Sequence, residues 1–209
     1  MLTDLTIKDF LNKVAGSDPV PGGGSISALN AAIAASLTAM VANLTLGRKK
    51  YAEVEERMKM LAAKAELISD LFLDYVNKDA EAYELVFSAY KLPKDTEEEK
   101  AKRSEVIQKA TKHAAKIPME VARSTNDILN SIEDVARNGN SNAITDACVA
   151  MMCARTAILG ALLNVRINLS SIKDEDFVKQ FTAEADELEK AACKKEQMLL
   201  TFAKETHGL

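Results

Sequence analysis

Apolar residues recur at steps of three and four along most of the chain, and this spacing predicts α-helices. Two segments, residues 25–46 and 142–168, are rich in apolar residues on every side, as in helices buried inside a bundle. No segment alternates with the period of two expected for a strand. We therefore predict an all-α multihelical bundle with two buried apolar helices and long amphipathic helices. The most regular amphipathic stripe, a heptad-like seam, consists of Val54, Met58, Leu61, Ala65, Ile68, Phe72 and Tyr75.

Capping residues and helix breakers divide this pattern into six helices. Capping-box patterns begin at Thr6 and Thr96. Pro118 is expected to kink or break the helix that contains it. The turn at residues 138–140 precedes the second apolar segment. The predicted helices cover approximately residues 6–14, 25–46, 51–90, 96–137, 142–168 and 171–203.

Composition narrows the class of protein. The 209 residues are 47% hydrophobic, which is enough for a single domain over residues 1–209. A formal net charge of −4, without a basic block, argues against nucleic acid as a partner. The charge-free stretch between Asp18 and Arg48 is alanine-rich and broken by polar residues, so we expect no membrane insertion. Three cysteines without a CxxC pair, and an N-terminus without a secretory pattern, predict a cytoplasmic protein without disulfides.

The segment 19–25, with two prolines and three consecutive glycines, opens directly into the first apolar helix. We expect Gly24 or Ser25 at or near its N-cap. The first N–H groups of a helix have no partner within the helix and attract anions. The turn is therefore either a simple helix start or part of a binding site for an anionic group.

A charged residue continues the apolar seam of the 51–90 helix. One further step of four from Tyr75 reaches Asp79, and the stripe resumes at Ala82 and Val86. A carboxylate on a core-facing position is costly unless it is paired or used. Asp79 is therefore a buried structural aspartate, a product of local drift in the stripe, or a functional group.

The second apolar helix carries three charges, at Asp146, Arg155 and Arg166. At about 100° per residue, the two arginines lie on nearly one face and Asp146 lies on the opposite face, so neither arginine can neutralise it. The helix dipole alone could explain an aspartate in the first turn. Arg166 between Asn164 and Asn168 suits recognition of a carboxylate, and bridging between helices explains it equally well.

Several common active sites are excluded. The two histidines, His113 and His207, have no cysteine cluster nearby, which argues against a metal site and against a Ser-His-Asp triad. The glycine turn lacks the GxxxxGK[ST] pattern and follows a helix, which excludes P-loop and Rossmann sites. Any catalysis should rest on carboxylates, amides and backbone donors.

Motifs spread over nearly the whole chain carry a family resemblance. They are PGGGS at residues 21–25, ANLT at 42–45, DAEAY at 79–83, LPK at 92–94, GNSNAITDA at 139–147 and NVRINL at 164–169. With them, the sequence closely resembles the formiminotetrahydrofolate cyclodeaminase / methenyltetrahydrofolate cyclohydrolase family. The resemblance implies a multihelical cytoplasmic enzyme of one-carbon metabolism. It also implies a homodimer that binds a reduced folate between helices and subunits, with no metal and no cofactor beyond that folate.

The resemblance also implies a reaction and its residues. The expected activity is that of a 5-formiminotetrahydrofolate cyclodeaminase, which forms 5,10-methenyltetrahydrofolate and ammonia. The alternatives are a methenyltetrahydrofolate cyclohydrolase, which forms 10-formyltetrahydrofolate, a non-catalytic helical interaction module and a folate carrier. Asp79 or Asp146 is expected to move the protons. The residues expected to bind the substrate are Gly22, Gly23, Gly24, Ser25, Asn43, Asn140, Asn142, Asn164, Arg166 and Asn168.

Overall fold

Six α-helices and three short 3₁₀ segments make up the fold of residues 1–208. The computed structural model describes residues 1–208. The α-helices are α1 (Ile7–Val14), α2 (Gly23–Asn43), α3 (Glu55–Tyr90), α4 (Glu97–Asn138), α5 (Ile144–Leu169) and α6 (Glu175–His207), and the 3₁₀ segments are Leu2–Asp4, Lys49–Val54 and Ser141–Ala143. No strand occurs within the described residues, and the predicted all-α bundle is confirmed.

The centre of the bundle is the antiparallel pair α2 and α5. At one end, a Cβ built on Gly23 would lie 3.2 Å from Nδ2 of Asn164, so the start of α2 meets the last turns of α5. At the other end, Nδ2 of Asn140 donates to the backbone oxygen of Leu44 at 3.1 Å. Helices α3 and α4 pack against this pair, and α6 packs on α5 and α4.

Small side chains allow the central pair to pack closely. At Gly160 a Cβ would lie 2.4 Å from Oγ of Ser27, so α2 and α5 approach each other at a position that only glycine fits. Close approach of two backbones increases the number of dispersion contacts between them. Alanines without exposed surface line the contacts of both helices: Ala28, Ala31, Ala34, Ala35 and Ala42 in α2, and Ala147, Ala150, Ala154, Ala157 and Ala161 in α5.

The prediction that both apolar helices are buried holds on one side of each helix only. In α2, Ile33 and Met40 are exposed by 42% and 37%, and in α5, Leu163 and Ile167 are exposed by 65% and 69%. Both helices are long and apolar enough to cross a membrane by length and composition. In their most apolar windows, however, 61% and 50% of the residues are buried, and core helices have the same composition.

Two helices differ from prediction in ways that have a physical reason. The N-cap of α2 is Gly22, whose extended backbone starts the helix without a side-chain cap, and the Ser25 hydroxyl bonds to α3 instead. Helix α4 continues through Pro118, so the predicted break is absent. Pro118 is buried among neighbouring helices, and that packing offsets the backbone hydrogen bond that proline removes.

The other helix ends follow the sequence closely. The predicted caps of α1 and α4 are present, because Thr6 accepts a hydrogen bond from the N–H of Asp9, and Thr96 accepts one from the N–H of Glu99, both at 3.1 Å. Helix α3 begins four residues after Tyr51, whose backbone angles (φ −117°, ψ 18°) are not helical. Helix α6 begins at Glu175, four residues after the predicted start, because Asp174 is its N-cap, and it extends four residues beyond the predicted end, to His207.

Candidate active site

A cleft of about 340 Å³ lies where the start of α2, the C-terminal third of α3 and the last turns of α5 meet, and we call it the Asp79 cleft. Six of the predicted site residues line it, and α4 contributes one residue to its wall. The lining residues are Pro19, Val20, Gly22, Gly23, Gly24, Asp79, Ala82, Tyr83, Val86, Ala114, Asn164, Ile167 and Asn168.

Asp79 lies against the first turn of α2. A Cβ built on Gly24 would lie 2.0 Å from Oδ1 of Asp79 and 2.5 Å from its Cγ, so only glycine lets this carboxyl group reach the helix backbone. The first N–H groups of a helix favour an anion, and here the protein supplies that anion itself. Of the two explanations for the turn, a binding site for an anionic group is therefore the less favoured at Gly24, where the Asp79 carboxyl group already occupies the helix start.

Asp79 is half-buried and is the one charged side chain among the residues that line the cleft. Burial raises the pKa of its carboxyl group above the ordinary value, and hydrogen bonds from the hydroxyl and backbone amide of Ser25 oppose that shift. A carboxyl group with a raised pKa can accept a proton and return it closer to neutral pH. Asp79 therefore has the properties of a general acid and base.

The Ser25 hydroxyl lies between two oxygen atoms. Its Oγ is 3.0 Å from the backbone oxygen of Val76 and 3.0 Å from Oδ2 of Asp79. A hydroxyl group has one hydrogen, so both contacts are full hydrogen bonds only when a protonated Asp79 donates to Oγ and Oγ donates to Val76. When Asp79 is ionised, Ser25 turns its hydrogen to the carboxylate. Ser25 thus accommodates both protonation states of Asp79.

Two asparagine amides complete the polar lining. Nδ2 of Asn164 donates to the backbone oxygen of Gly160 at 2.8 Å, and Nδ2 of Asn168 donates to the backbone oxygen of Asn164 at 2.8 Å. Neither side-chain oxygen forms a hydrogen bond within residues 1–208. Both oxygens therefore remain acceptors for a ligand.

Two predicted site residues on the central helices lie far from this cleft. Asn43 is 20 residues from Gly23, about 30 Å along α2, and its Nδ2 donates to Oε1 of Glu66 at 3.2 Å. Asp146 is in the first turn of α5, about 27 Å along that helix from Asn164. Within one chain, the two predicted catalytic aspartates are therefore not in the same site.

Asn140 and Asn142 also lie at that opposite end, which we call the Asn140 end. The backbone N–H of Asn140 donates to Oγ1 of Thr45 at 2.8 Å, and its Oδ1 accepts the N–H of Asn142 at 3.1 Å. Together with the bond from Nδ2 to the backbone oxygen of Leu44, these contacts occupy the side-chain amide of Asn140 and hold the chain where α5 begins. Within one chain, both asparagines therefore lie apart from the glycine turn, and their role in substrate binding stays a prediction.

Arg166 is directed away from the cleft. Its Nη2 donates to Oδ1 of Asp186 at 2.9 Å and to Oε2 of Glu189 at 2.7 Å, both on α6. Two residues correspond to about 200° around a helix, so Arg166 lies nearly opposite its neighbours Asn164 and Asn168. Of the two explanations, the structure supports the bridge between helices over recognition of a ligand carboxylate.

Sequence reasoning missed part of the cleft wall. Tyr83 and Val86 follow Asp79 by four and seven residues, and Ile167 follows Asn164 by three, so helical spacing from the predicted residues could have found them. Ala114 comes from α4, and no pattern in its own segment distinguishes it from other buried alanines. Only the packing of α4 against the central pair brings it into the cleft.

Comparison with known proteins identifies the class. A family model described as formiminotransferase-cyclodeaminase matches residues 6–187. A methenyltetrahydrofolate cyclohydrolase of Methylorubrum extorquens is 40% identical over 183 residues, which are 88% of each chain. The crystal structure of a formiminotetrahydrofolate cyclodeaminase from Thermotoga maritima superposes with a TM-score of 0.86 and 33% identity, covering 100% of this chain and 98% of the other.

Longer relatives contain a similar unit. The formimidoyltransferase-cyclodeaminase of Rattus norvegicus is 31% identical over 176 residues, which are 84% of this chain and 32% of the relative. The chain thus spans about a third of the length of these relatives. Together, the fold and the relatives define an enzyme of folate one-carbon metabolism. The chain belongs to the formiminotransferase-cyclodeaminase family.

Proposed function

We propose that this protein is a 5-formiminotetrahydrofolate cyclodeaminase and that its reaction takes place in the Asp79 cleft. The observation that carries the proposal is a half-buried carboxyl group with a raised pKa at the edge of an open cavity. The cavity volume of about 340 Å³ falls within the range of about 300–1,000 Å³ that is usual for small-molecule sites. The Thermotoga maritima relative bears the same activity in its name.

Asp79 serves both proton transfers of this reaction. N10 of the folate attacks the carbon of the protonated formimino group, and a new N10–C bond forms. The ionised carboxylate accepts the proton that N10 loses and then donates it to the amino group on the tetrahedral carbon. The C–N bond to that group breaks, ammonia leaves with the bonding electrons, and the positive charge is shared by N5 and N10. The regenerated carboxylate stabilises this cation.

A second candidate is methenyltetrahydrofolate cyclohydrolase, which the 40% identity to the Methylorubrum extorquens enzyme favours. In this reaction, the oxygen of a water molecule bonds to the methenyl carbon while Asp79 accepts one proton from it. Asp79 then donates that proton to N5 as the C–N5 bond breaks. The hydroxyl proton passes to solvent, and 10-formyltetrahydrofolate remains. Both reactions need the same group in the same place.

Turnover of the two substrates, measured side by side, tests the proposal. The purified protein is given 5-formiminotetrahydrofolate in one assay and 5,10-methenyltetrahydrofolate in the other. Methenyl absorbance and ammonia are followed together, because only the cyclodeaminase releases ammonia. Release of ammonia with formation of methenyltetrahydrofolate supports the main proposal, and loss of methenyl absorbance without ammonia supports the second. No change with either substrate rejects both.

We also propose that the protein is a cytoplasmic homodimer, whose two copies meet through the adjacent exposed sides of α2 and α5, and that it needs no cofactor beyond the folate. Apolar patches of this kind usually mark interfaces in soluble proteins, and a two-fold dimer brings the same patch of both copies together. The large exposed apolar side chains of this face are Ile33, Met40, Leu44, Val149, Met152, Leu163 and Ile167.

Sedimentation velocity of the full chain tests the dimer. Met152→Glu places a charge within the proposed interface and should shift the protein to the monomer. Leu67→Glu, at a 73% exposed position on α3, is the matched control and should leave the dimer intact. A wild-type monomer at micromolar concentration, or equal behaviour of the two variants, contradicts the proposed interface.

A further inference from the structure

Beside the Asp79 cleft, α2 and α5 touch through two reciprocal contacts. Each helix contributes a glycine and a polar residue four positions apart: Gly23 and Ser27 on α2, and Gly160 and Asn164 on α5. A Cβ built on Gly23 would lie 3.2 Å from Nδ2 of Asn164, and one built on Gly160 would overlap Oγ of Ser27. Each glycine thus receives the polar side chain of the other helix. We call these four residues the α2–α5 clasp.

A hydrogen bond within each helix fixes both polar side chains of the clasp. Oγ of Ser27 donates to the backbone oxygen of Gly23 at 2.7 Å, and Nδ2 of Asn164 donates to the backbone oxygen of Gly160 at 2.8 Å. Ser27 is 4% exposed, so turning its hydroxyl away from Gly23 would leave a buried polar group without a partner. The clasp therefore has little freedom to absorb a change in the spacing of the two helices.

The clasp joins the two walls of the cleft. On one wall, Asp79 is held against Gly24 and Ser25, which directly follow Gly23. On the other wall, Asn164 presents the side-chain oxygen that forms no hydrogen bond within residues 1–208. The separation of the carboxyl group from this acceptor is therefore set where α2 meets α5, and within neither helix alone.

Packing alone does not require a serine opposite a glycine here. Elsewhere, buried alanines on both helices line the contact between α2 and α5. Two alanines in place of Ser27 and Gly160 would contain the same number of non-hydrogen side-chain atoms. What the serine adds is the hydrogen bond to Gly23, at the start of α2 beside the cleft.

We propose that Ser27 and Gly160 are positioning residues, whose contact sets the separation of Asp79 from the side-chain oxygen of Asn164. The inference rests on the proposed function, since this separation matters only to a molecule that meets both groups. Neither Ser27 nor Gly160 lines the cleft, so both act through its walls. Misplacement of reacting groups by about 1 Å can cost about 100-fold in rate.

Moving one side-chain atom across the contact tests the proposal. Gly160→Ala creates the overlap with Ser27, so the helices must separate, and kcat should fall about 10- to 100-fold. In the double variant Ser27→Ala/Gly160→Ala, the two Cβ atoms would lie 3.6 Å apart, which is an ordinary contact. Its kcat should recover to within about fivefold of wild type. The pH midpoint of kcat/KM should stay unchanged in both variants, because Ser25 keeps its contact with Asp79.

Two further measurements separate positioning from general loss of stability. Thr45→Val, at the other end of the same helix pair, should lose stability and keep kcat within about twofold. In nuclear magnetic resonance spectra, the side-chain amide signals of Asn164, assigned by their absence in Asn164→Asp, should move in Gly160→Ala. They should return toward their wild-type positions in the double variant.

Three results would overturn the positioning role: lower stability of Gly160→Ala with unchanged kcat, a double variant no more active than Gly160→Ala, or unmoved Asn164 signals in Gly160→Ala. The spectra need no turnover, so the role of the clasp in holding Asn164 is tested even if neither substrate reacts. Wild-type turnover reports separately on the proposed function.

Discussion

The two ends of the α2–α5 pair contain similar residue types and differ in what those residues leave free. At the Asn140 end, Thr45, Asn140 and Asn142 satisfy one another, and the hydroxyl of Tyr51 accepts the N–H of Ser141 at 3.0 Å. At the other end, a carboxyl group and two amide oxygens face a cleft. Polar residues near a helix end therefore indicate a reaction site only where some of their hydrogen-bonding capacity and the adjacent space are unused.

The largest difference between the two ends should appear when each loses its aspartate. Asp79→Asn removes the proton acceptor and should lower kcat/KM about 100- to 10,000-fold. Asp146→Asn, on the first turn of α5, should keep kcat/KM within about threefold of wild type. Steady-state kinetics of the two variants decides this. A greater loss in Asp146→Asn would move the catalytic site to the Asn140 end, or to a contact between subunits.

Adjacent glycines at the cleft should differ sharply. In Gly24→Ala the new Cβ would meet Asp79 at 2.0 Å, so the carboxyl group must move, and we expect about a 100-fold loss of kcat/KM with about 1–3 kcal/mol lower stability. In Gly23→Ala the Cβ lies 3.2 Å from the Asn164 amide, which can shift, and both losses should be smaller. Kinetics and urea unfolding measure them. Equal losses would contradict the close approach at position 24.

Ser25→Ala should change the pH dependence of the reaction more than its maximum rate. The hydroxyl donates to the ionised carboxylate and lowers the pKa of Asp79, so without it that pKa rises further. Activity that requires the carboxylate should then increase at higher pH than in wild type. The pH profile of kcat/KM measures the shift. Ser27→Ala, which loses a bond to Gly23 within α2, is the control whose profile should not move.

At the Asn140 end, substitution should affect stability and leave activity unchanged. Thr45 is buried, and its Oγ1 accepts the backbone N–H of Asn140. Thr45→Val keeps the shape and leaves that N–H without a partner, which should lower the free energy of unfolding by about 1–3 kcal/mol. Urea unfolding measures the cost, and kcat/KM of the folded variant should stay within about twofold. A large loss of activity would show that this end takes part in the reaction.

The smallest effect concerns a phenol at the Asn140 end. Hydrogen bonds from the Ser141 side chain and backbone, with a contribution from Lys50, lower the pKa of Tyr51 to about 8. Ultraviolet titration of wild type should therefore detect a tyrosine that ionises near pH 8, and Tyr51→Phe should lose that transition. Turnover should be the same in both proteins. An unchanged titration in Tyr51→Phe would assign the transition elsewhere.

The sequence predicted the helices because each local pattern agreed with the bundle. The apolar seam of α3 predicted that Asp79 lies on the core side, but it could not predict that Ser25 and Gly24 contact it. The spacing of four residues predicted that Asn164 and Asn168 lie on one face of α5. What could not be predicted is which elements meet. Gly23 and Asn43 belong to one apolar helix, yet its length alone puts them about 30 Å apart.

Partners on distant elements explain the remaining errors. Arg166 is adjacent in sequence to cleft-lining residues, and its carboxylate partners on α6 lie 20 and 23 residues away. The sequence alone suggests that Gly24 serves its own turn. In the structure, glycine is needed at this position because the carboxyl group of Asp79, 55 positions later, contacts the backbone there. A single sequence describes each surface of a helix and leaves open which surface of another helix meets it.

The contact between Gly24 and Asp79 has a consequence for how this protein can evolve. Burial raises the pKa of Asp79, so stability is greatest when the group is protonated and declines as pH rises through that pKa. A neutral residue at this position would therefore suit the folded chain better at neutral pH. We therefore expect selection for stability to favour Asp79→Asn, and selection for turnover to keep the aspartate. Variants obtained by stabilisation screens should accordingly be checked first at this position for lost function.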